Sequence, residues 1–278
     1  MIIWLASYPK SGNTLVRSML SSYFFSNEGL FNFDLIKNIR QFPTRQVFQK
    51  YDFDFNDTKE TIKNYINIQD KINIKTSVQF VKTHSYLFNI NNYAFTNLKN
   101  SLGAIYIVRD PRNVVTSWAN HYSCSIEDSC DYLINQTQTI EDEKEITIFH
   151  GTWKSNYQSW KSFKFQERYL LIKYEDLILD RKSTFLKILK FIFKLNKTKF
   201  SVNPIKLDNM LKNTTFKKMK DLEKNKGFPE AVEHRATKEK ITFFNQGPDN
   251  DWKRSLDKKI IDKLEKAFKV EMEELNYL

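Results

Sequence analysis

The sequence predicts an α/β fold in three layers, with a central, mainly parallel sheet flanked by helices. Three observations predict it. Ile2 to Ala6 is a continuous apolar run, followed by a loop of Ser, Pro, Lys and Gly and then by Leu15, Met19, Leu20, Tyr23 and Phe24 at helical spacing. The same order of strand, loop and helix returns at Ala104 to Val108, which ends in Arg109-Asp110-Pro111 and leads into Val114, Val115 and Trp118 on one helical face. Tyr169 to Tyr174 and Phe80 to Thr83 supply a third and a shorter fourth strand. Strands alternating with helices build parallel sheets, and ligands in such folds sit beyond the carboxyl ends of the strands.

Between these units, residues 26–75 are rich in Asn, Asp and Phe and predict short helices and loops over one face of the sheet, with no domain boundary. Trp153 and Trp160, seven apart, share a helical face and read as core. The charged run Lys217 to Lys226 reads as a loop. Leu256, Ile260, Leu264, Phe268, Met272 and Leu275 recur at helical spacing and predict a C-terminal amphipathic helix whose task is packing. No repeat divides the chain, and residues 1–278 are expected to form a single domain.

Lys and Arg number 44 against 33 Asp and Glu, a net charge of +11. A content of 41% hydrophobic residues, with 23 Phe and 13 Tyr, supplies a core and excludes a basic disordered chain. A nucleic-acid-binding protein would cluster its basic residues among exposed aromatics, whereas here they run along the whole chain. The charge therefore reads as solvated surface plus a few cations for an anionic ligand. Cys124 and Cys130 are too few for a disulfide framework or a four-ligand zinc site, which fits a reducing cytoplasm. The first apolar run is broken by Ser7, Pro9 and Lys10, no basic region precedes it, and no later segment reaches the ~18 apolar residues of a membrane helix. A soluble cytoplasmic protein with no membrane or nucleic-acid partner is expected.

Chemistry concentrates in the loop Ser7-Tyr8-Pro9-Lys10-Ser11-Gly12-Asn13-Thr14. It has the length and position of a phosphate-binding GxxxxGK[ST] loop, so the fold expected is P-loop-like. Gly12 and Thr14 keep the second Gly and the final hydroxyl, Ser7 replaces the first Gly, and Asn13 stands where the Lys belongs. The one cation has moved to Lys10. Backbone N–H groups and the start of the next helix still attract an anion without a particular side chain. A nucleotide kinase, the alternative reading, needs an acidic strand end for Mg²⁺. Asp110 is the one candidate, and the Pro and Arg around it suit an anion better than a metal.

SYPKSGNT resembles the 5′-phosphosulfate loop, TYPKSGTTW, of sulfotransferases that use 3′-phosphoadenosine 5′-phosphosulfate (PAPS). Other segments agree in order. VRDPRNVVTSWANHY resembles the 3′-phosphate motif, in which an Arg and a Ser lie eight apart, here Arg109 and Ser117. VKTHSY is similar to FKTHLP, which implies a catalytic role for His84; LLIKYEDL resembles the YED strand end, which implies Tyr174 near the adenine. TTFKKM is similar to TSFxxM through Thr214, Thr215, Phe216 and Met219, and Gly151-Thr152-Trp153 with Trp160 resembles GSWxxHVxxW. The matches run from about Ile3 to about Lys253.

The resemblance implies transfer of a sulfuryl group from PAPS to a hydroxyl or amine, without a metal. It implies that Lys10 stabilises the departing phosphate oxygen, that His84 takes the acceptor's proton, and that Ser117 restrains Lys10 until acceptor binds. Ser11, Gly12, Asn13 and Thr14 would hold the 5′-phosphate, Arg109 and Ser117 the 3′-phosphate, and Tyr174, Thr214, Phe216 and Gly247 the rest of the nucleotide. Arg offers the forked geometry that phosphate prefers, and an imidazole suits proton removal near neutral pH. The sequence does not name the acceptor; a small alcohol, phenol or amine, or a cytoplasmic glycan, is expected rather than a secretory polysaccharide, in a pocket built by residues 26–75, 123–150 and 217–245.

The sequence departs from the family at three places. The Trp after SGTT is Leu15, the His of GSWxxH is Asn156, and the first Arg and Lys of RKGxxGDWK are Asn245 and Gln246. Losing two cations weakens the hold on a 3′-phosphate, each charge-assisted hydrogen bond being worth about 1.5–3 kcal/mol. Arg235, Lys238, Lys240 and Lys253 are the candidate substitutes. A sulfotransferase fold with altered donor binding is the second alternative.

Overall fold

β1 (Ile2–Ser7) is buried at all six positions, which is why its sequence shows no polar alternation. Ile2, Trp4 and Ala6 point into one apolar cluster and Ile3 and Leu5 into another, as the period of two along a strand requires. In this computed structural model, which describes residues 1–54, 56–74, 77–135, 146–234 and 237–278, β1 is the middle strand of a five-stranded parallel sheet. The others are β2 (Arg40–Gln41), β3 (Gln79–Thr83), β6 (Ser101–Val108) and β7 (Tyr169–Lys173), in the order β2-β3-β1-β6-β7. A separate hairpin pairs β4 (Asn89–Ile90) with β5 (Tyr93–Ala94).

The register decides where the site forms. Ala6 pairs with Thr83, Ser7 with Ile107 and Val108 with Lys173, so four strands end along one line. The residues that follow, including Lys10, His84, Arg109 and Tyr174, emerge together at that edge.

Helices cover both faces. α1 (Asn13–Phe25) follows β1, and α2 (Arg45–Phe48) and α3 (Thr58–Ile72) lie between β2 and β3. After β6 come α4 (Pro111–Tyr122), α5 (Ile126–Asn135) and α6 (Trp153–Trp160). After β7 come α7 (Tyr174–Leu179), α8 (Arg181–Leu195), α9 (Pro204–Asn213), α10 (Phe216–Lys226), α11 (Trp252–Ser255) and α12 (Lys258–Glu274). One cluster packs Trp4 and Tyr106 with Trp118, Trp153, Trp160 and Phe268; the other packs Leu5 and Ile107 with Met19, Phe185 and Leu189. The three layers and the two core tryptophans of α6 agree with the sequence. All six apolar residues from Leu256 to Leu275 are buried. Among the described residues no helix is long and apolar enough to cross a membrane.

Three expectations are corrected. Residues 26–75 hold a 15-residue helix and a strand joined to the sheet, not only short helices and loops. The buried face of α3 mixes Thr61 and Gln69 with Ile62, Tyr65 and Ile68, which blurs its apolar period. Lys217 to Lys226 lies in α10, which buries only Met219 and is capped by Thr215, so solvation there does not mean loop. Tyr174 does not close β7; it opens α7.

Arg112 fixes α4 to the end of the chain. Its guanidinium donates to both oxygens of Asp110, to Glu265 at 2.6 Å and to the Tyr277 carbonyl at 2.7 Å, and it lies 3.9 Å from the Trp252 ring centroid. Removing one partner of a buried charge pair costs about 3–5 kcal/mol, because the other is left uncompensated. Arg112→Met is therefore expected to lower unfolding stability by that amount, measured as a drop in urea midpoint at unchanged slope.

Candidate active site

The loop between β1 and α1 is shaped by two left-handed residues, Lys10 with φ of 66° and Gly12 with φ of 98°. Gly12 also faces the Tyr174 ring, and a Cβ there would lie 2.5 Å from Tyr174 Cδ2. Only Gly meets both demands without strain. Gly12 begins α1 with no side-chain cap and no acidic residue in the first turn, so the first N–H groups are left for an anion. Asn13, at the place of the missing Walker lysine, turns inward and donates to the Leu5 carbonyl at 2.9 Å and to Ser7 Oγ at 3.1 Å.

His84 follows β3 and lies beside this loop. Its Nδ1 is 3.0 Å from the Ser7 carbonyl. A carbonyl only accepts, so Nδ1 carries the proton and Nε2 keeps the lone pair. Burial, then the Lys82 charge, hold the ring well below the ordinary histidine range, against the raising effect of the Ser7 bond. It is a neutral base. Asn156, one of the sequence departures, is buried and donates to the His84 and His150 carbonyls, while its oxygen accepts from the Tyr106 hydroxyl at 2.7 Å. It supports the backbone that carries His84.

Lys10, Gly12, Asn13, Thr14, His84, Arg109, Ser117, Tyr174, Phe216 and Gly247 all line one cavity of about 860 Å³. That volume suits a nucleotide with a second small molecule, small-molecule sites spanning roughly 300–1,000 Å³. The Arg109 guanidinium is buried, lies 4.3 Å from the Tyr174 ring centroid, and donates to the Lys10 and Gly247 carbonyls only at 3.3 and 3.4 Å. Among the described residues its Nε has no hydrogen-bond partner. Gly247, with φ of 56°, lies against Phe216, whose ring would be 2.1 Å from an added Cβ.

Two residues implied by the resemblance lie off the cavity. Ser11 is fully buried with its Oγ unpartnered. Thr214 is buried as well: its Oγ1 donates to the Met210 carbonyl and accepts from Arg181, while its neighbour Thr215 lines the cavity. The implied Ser117 contact is also absent. Lys10 Nζ lies 4.3 Å from the Phe243 ring centroid, and among the described residues it makes no hydrogen bond to Ser117.

Near the substituted amides, Asn245 Nδ2 donates to Asn120 Oδ1 and its carbonyl accepts from Lys220 at 2.9 Å. Lys220 thus bonds the backbone of the altered motif, although it is exposed and does not line the cavity. Lys238, Lys240 and Lys253 are exposed and line no part of the cavity, and Arg235 lies outside the described residues. Of the segments expected to hold the acceptor, residues 26–75 contribute Gln41 and residues 217–245 a whole wall, whereas no described residue of 123–150 lines the cavity; residues 136–145 lie outside the described ones.

Sequence reasoning missed Lys82, His121, Glu230 and Phe243, which line the same cavity. Lys82 had a signal, because it lies at the carboxyl end of a strand, two residues before His84, where ligands sit in such folds. Its ammonium binds Glu230 at 3.1 Å, and Arg17 binds the other Glu230 oxygen at 2.5 Å. Burial raises the Glu230 carboxyl, but Lys82 and Arg17 outweigh it and leave the group ionised far below its usual range.

The sulfotransferase domain family matches residues 2–276. The chain belongs to the sulfotransferase family. The chain is 29% identical over 149 residues to a 3-beta-hydroxysteroid sulfotransferase of Cavia porcellus, 54% of this chain and 48% of the relative. It is 23% identical over 268 residues to a flavonol 3-sulfotransferase of Flaveria bidentis, 95% and 79%. The matched stretch thus spans about half the length of the first relative. Among solved structures, a mouse sulfotransferase complexed with PAP superposes with a TM-score of 0.61 at 18% identity, over 98% of this chain and 84% of the other. Retinol dehydratase in a complex with retinol and PAP gives 0.61 at 17%, over 98% and 81%. These two likenesses carry the P-loop-like fold.

Burial and the neighbouring Lys82 and Arg109 charges lower Lys10 to about 7. A phosphate placed beside it raises that value again, so Lys10 takes up a proton when an anion binds above pH 7. PAP binding at pH 8 is expected to absorb about one proton and at pH 6 almost none, read by calorimetry in buffers of different ionisation heat. Lys10→Met is expected to abolish the difference. Gly12→Ala is expected to weaken PAP about tenfold or more, measured in the same titration, since the positive φ and the Tyr174 contact both oppose a side chain.

Proposed function

We propose that this sulfotransferase moves a sulfuryl group from PAPS to a hydroxyl or amine of a small-molecule acceptor in the cytoplasm, with residues 1–278 acting as one domain. The observation that carries it is the His84 Nδ1 contact with the Ser7 carbonyl, which leaves a neutral Nε2 base in a cavity shared with Lys10 and Arg109.

The residues fit the donor. An uncapped α1 start after the left-handed Gly12, and a buried Arg109 Nε without a partner among the described residues, support two separated phosphate groups. Thr14 and the first-turn N–H groups of α1 would hold the 5′-phosphate, Arg109 and Ser117 the 3′-phosphate, and Tyr174, Phe216 and Gly247 the nucleoside side. When bound, PAPS supplies the SO₃ group, whose bond to the 5′-phosphate oxygen breaks as the acceptor atom attacks sulfur. His84 Nε2 receives the acceptor's proton. Lys10 leaves the Phe243 ring and places its charge on the departing oxygen, where negative charge grows. Lys82, which lines the cavity with His84 and is paired with Glu230, would lie on the acceptor side of sulfur.

A kinase reading lacks its acid, because Arg112 takes both Asp110 oxygens. At the altered 3′-phosphate motif Lys220 bonds the Asn245 carbonyl, but it is exposed and does not line the cavity, so the motif's missing pair leaves Arg109 as the buried cation on that side.

PAP at a hundred times its dissociation constant is expected to stabilise the protein by about 2.7 kcal/mol without added metal, seen as a raised melting temperature. His84→Ala is expected to keep that response while transfer of labelled sulfate from PAPS to an accepted phenol or amine falls about 10²–10⁴-fold. A near-normal rate in His84→Ala places the base elsewhere.

A further inference from the structure

Two histidines face this cavity, and the reaction as described uses one. His121 lies in the last turn of α4 and lines the cavity together with His84, Lys10 and Lys82. Its charged neighbours are Lys10, Lys82 and Glu230, whereas those of Arg109 are Tyr174, Glu175 and Asp110. On the proposed reading it therefore stands beside the groups that flank the transferred sulfuryl rather than beside the 3′-phosphate. Its ring meets the Phe243 ring edge-on at 5.7 Å, on the same aromatic residue that holds Lys10. His121 is half-buried, and among the described residues neither ring nitrogen has a hydrogen-bond partner.

Burial and the Lys10 and Lys82 charges push the ring down to about 3. At neutral pH it is an uncharged imidazole, offering one donor and one acceptor and no cation for the nucleotide's phosphates. An acceptor that laid hydrocarbon over this ring would strip its water and leave both nitrogens unpaired, a cost that a hydroxyl or amide in the same place avoids. Sites built to hydrogen-bond a substrate group discriminate strongly against analogues without it.

The geometry points to His121 as a specificity-determining residue that hydrogen-bonds a second polar group of the acceptor. The substrate class is then a small molecule with two separated hydrogen-bonding groups, one sulfated beside His84 and the other held at His121. This inference rests on the proposed transfer reaction.

Rigid aromatic probes test it: 2-naphthol against 2,6- and 2,7-dihydroxynaphthalene, with PAPS as donor. The wild type is expected to favour at least one diol over 2-naphthol by about tenfold or more in kcat/KM, mostly through KM. His121→Phe keeps an aromatic edge against Phe243 and is expected to reduce that ratio to about one. His121→Gln, which retains a donor and an acceptor, is expected to restore part of it. A raised melting temperature with PAP in each variant shows an intact fold and donor site. A wild type that treats diols and 2-naphthol alike, or a ratio unchanged in His121→Phe, overturns the inference. No transfer to any naphthol by a wild type that still responds to PAP overturns this inference alone. No transfer and no response to PAP overturns the donor reading with it.

Discussion

The parallel register around β1 is the constraint from which the site follows. Pairing Ala6 with Thr83 and Ser7 with Ile107 brings the ends of β1, β3 and β6 level, and β7 continues the line. A slip of one residue would turn Trp4 and Leu5 to each other's faces and carry His84 away from the Ser7 carbonyl. The same hydrogen-bond ladder that buries the apolar strands thus sets the tautomer of a histidine. Fold stability and acid–base chemistry are secured by one arrangement of backbone.

Electrostatics in the cavity follow a different logic. Burial and the neighbouring Lys82 and Arg109 charges all act against a charged Lys10. Glu230 answers Lys82 and Arg17, and the faces of Phe243 and Tyr174 answer Lys10 and Arg109. Carboxylate pairing is reserved for the two cations farthest from the nucleotide side. The two aromatic-held cations keep their hydrogen-bonding capacity for a ligand, which a carboxylate partner would consume.

Much of this was legible in the sequence, and the reasons are specific. β1, β3, β6 and β7 announce themselves because strands covered on both faces must be apolar at successive positions. The phosphate loop and Arg109 are legible because their residue types are tied to backbone conformation and to anion geometry. β2 was not, since two residues paired at a sheet edge carry no period, and α10 was not, since a helix that buries one methionine looks like solvated chain. Thr214 shows the limit of transferring a motif residue by residue: it sits in the right segment, yet its hydroxyl donates to the Met210 carbonyl inside the protein. Glu230 and Phe243 were invisible for another reason: they come from the segment between α10 and α11, and only the tertiary fold lays it across the lysines.

That segment gives the two lysines resident partners. Phe243 holds Lys10 and Glu230 holds Lys82, so on the proposed reading a donor phosphate that engages Lys10 exchanges one partner for another rather than adding a new one. Measured donor affinity is then the difference between two sets of contacts. Weakening the resident set by trimming the Phe243 ring raises affinity for the nucleotide while it loosens the unliganded protein. Tightness of donor binding and rigidity of the resting enzyme are in this way set against each other by a single aromatic side chain.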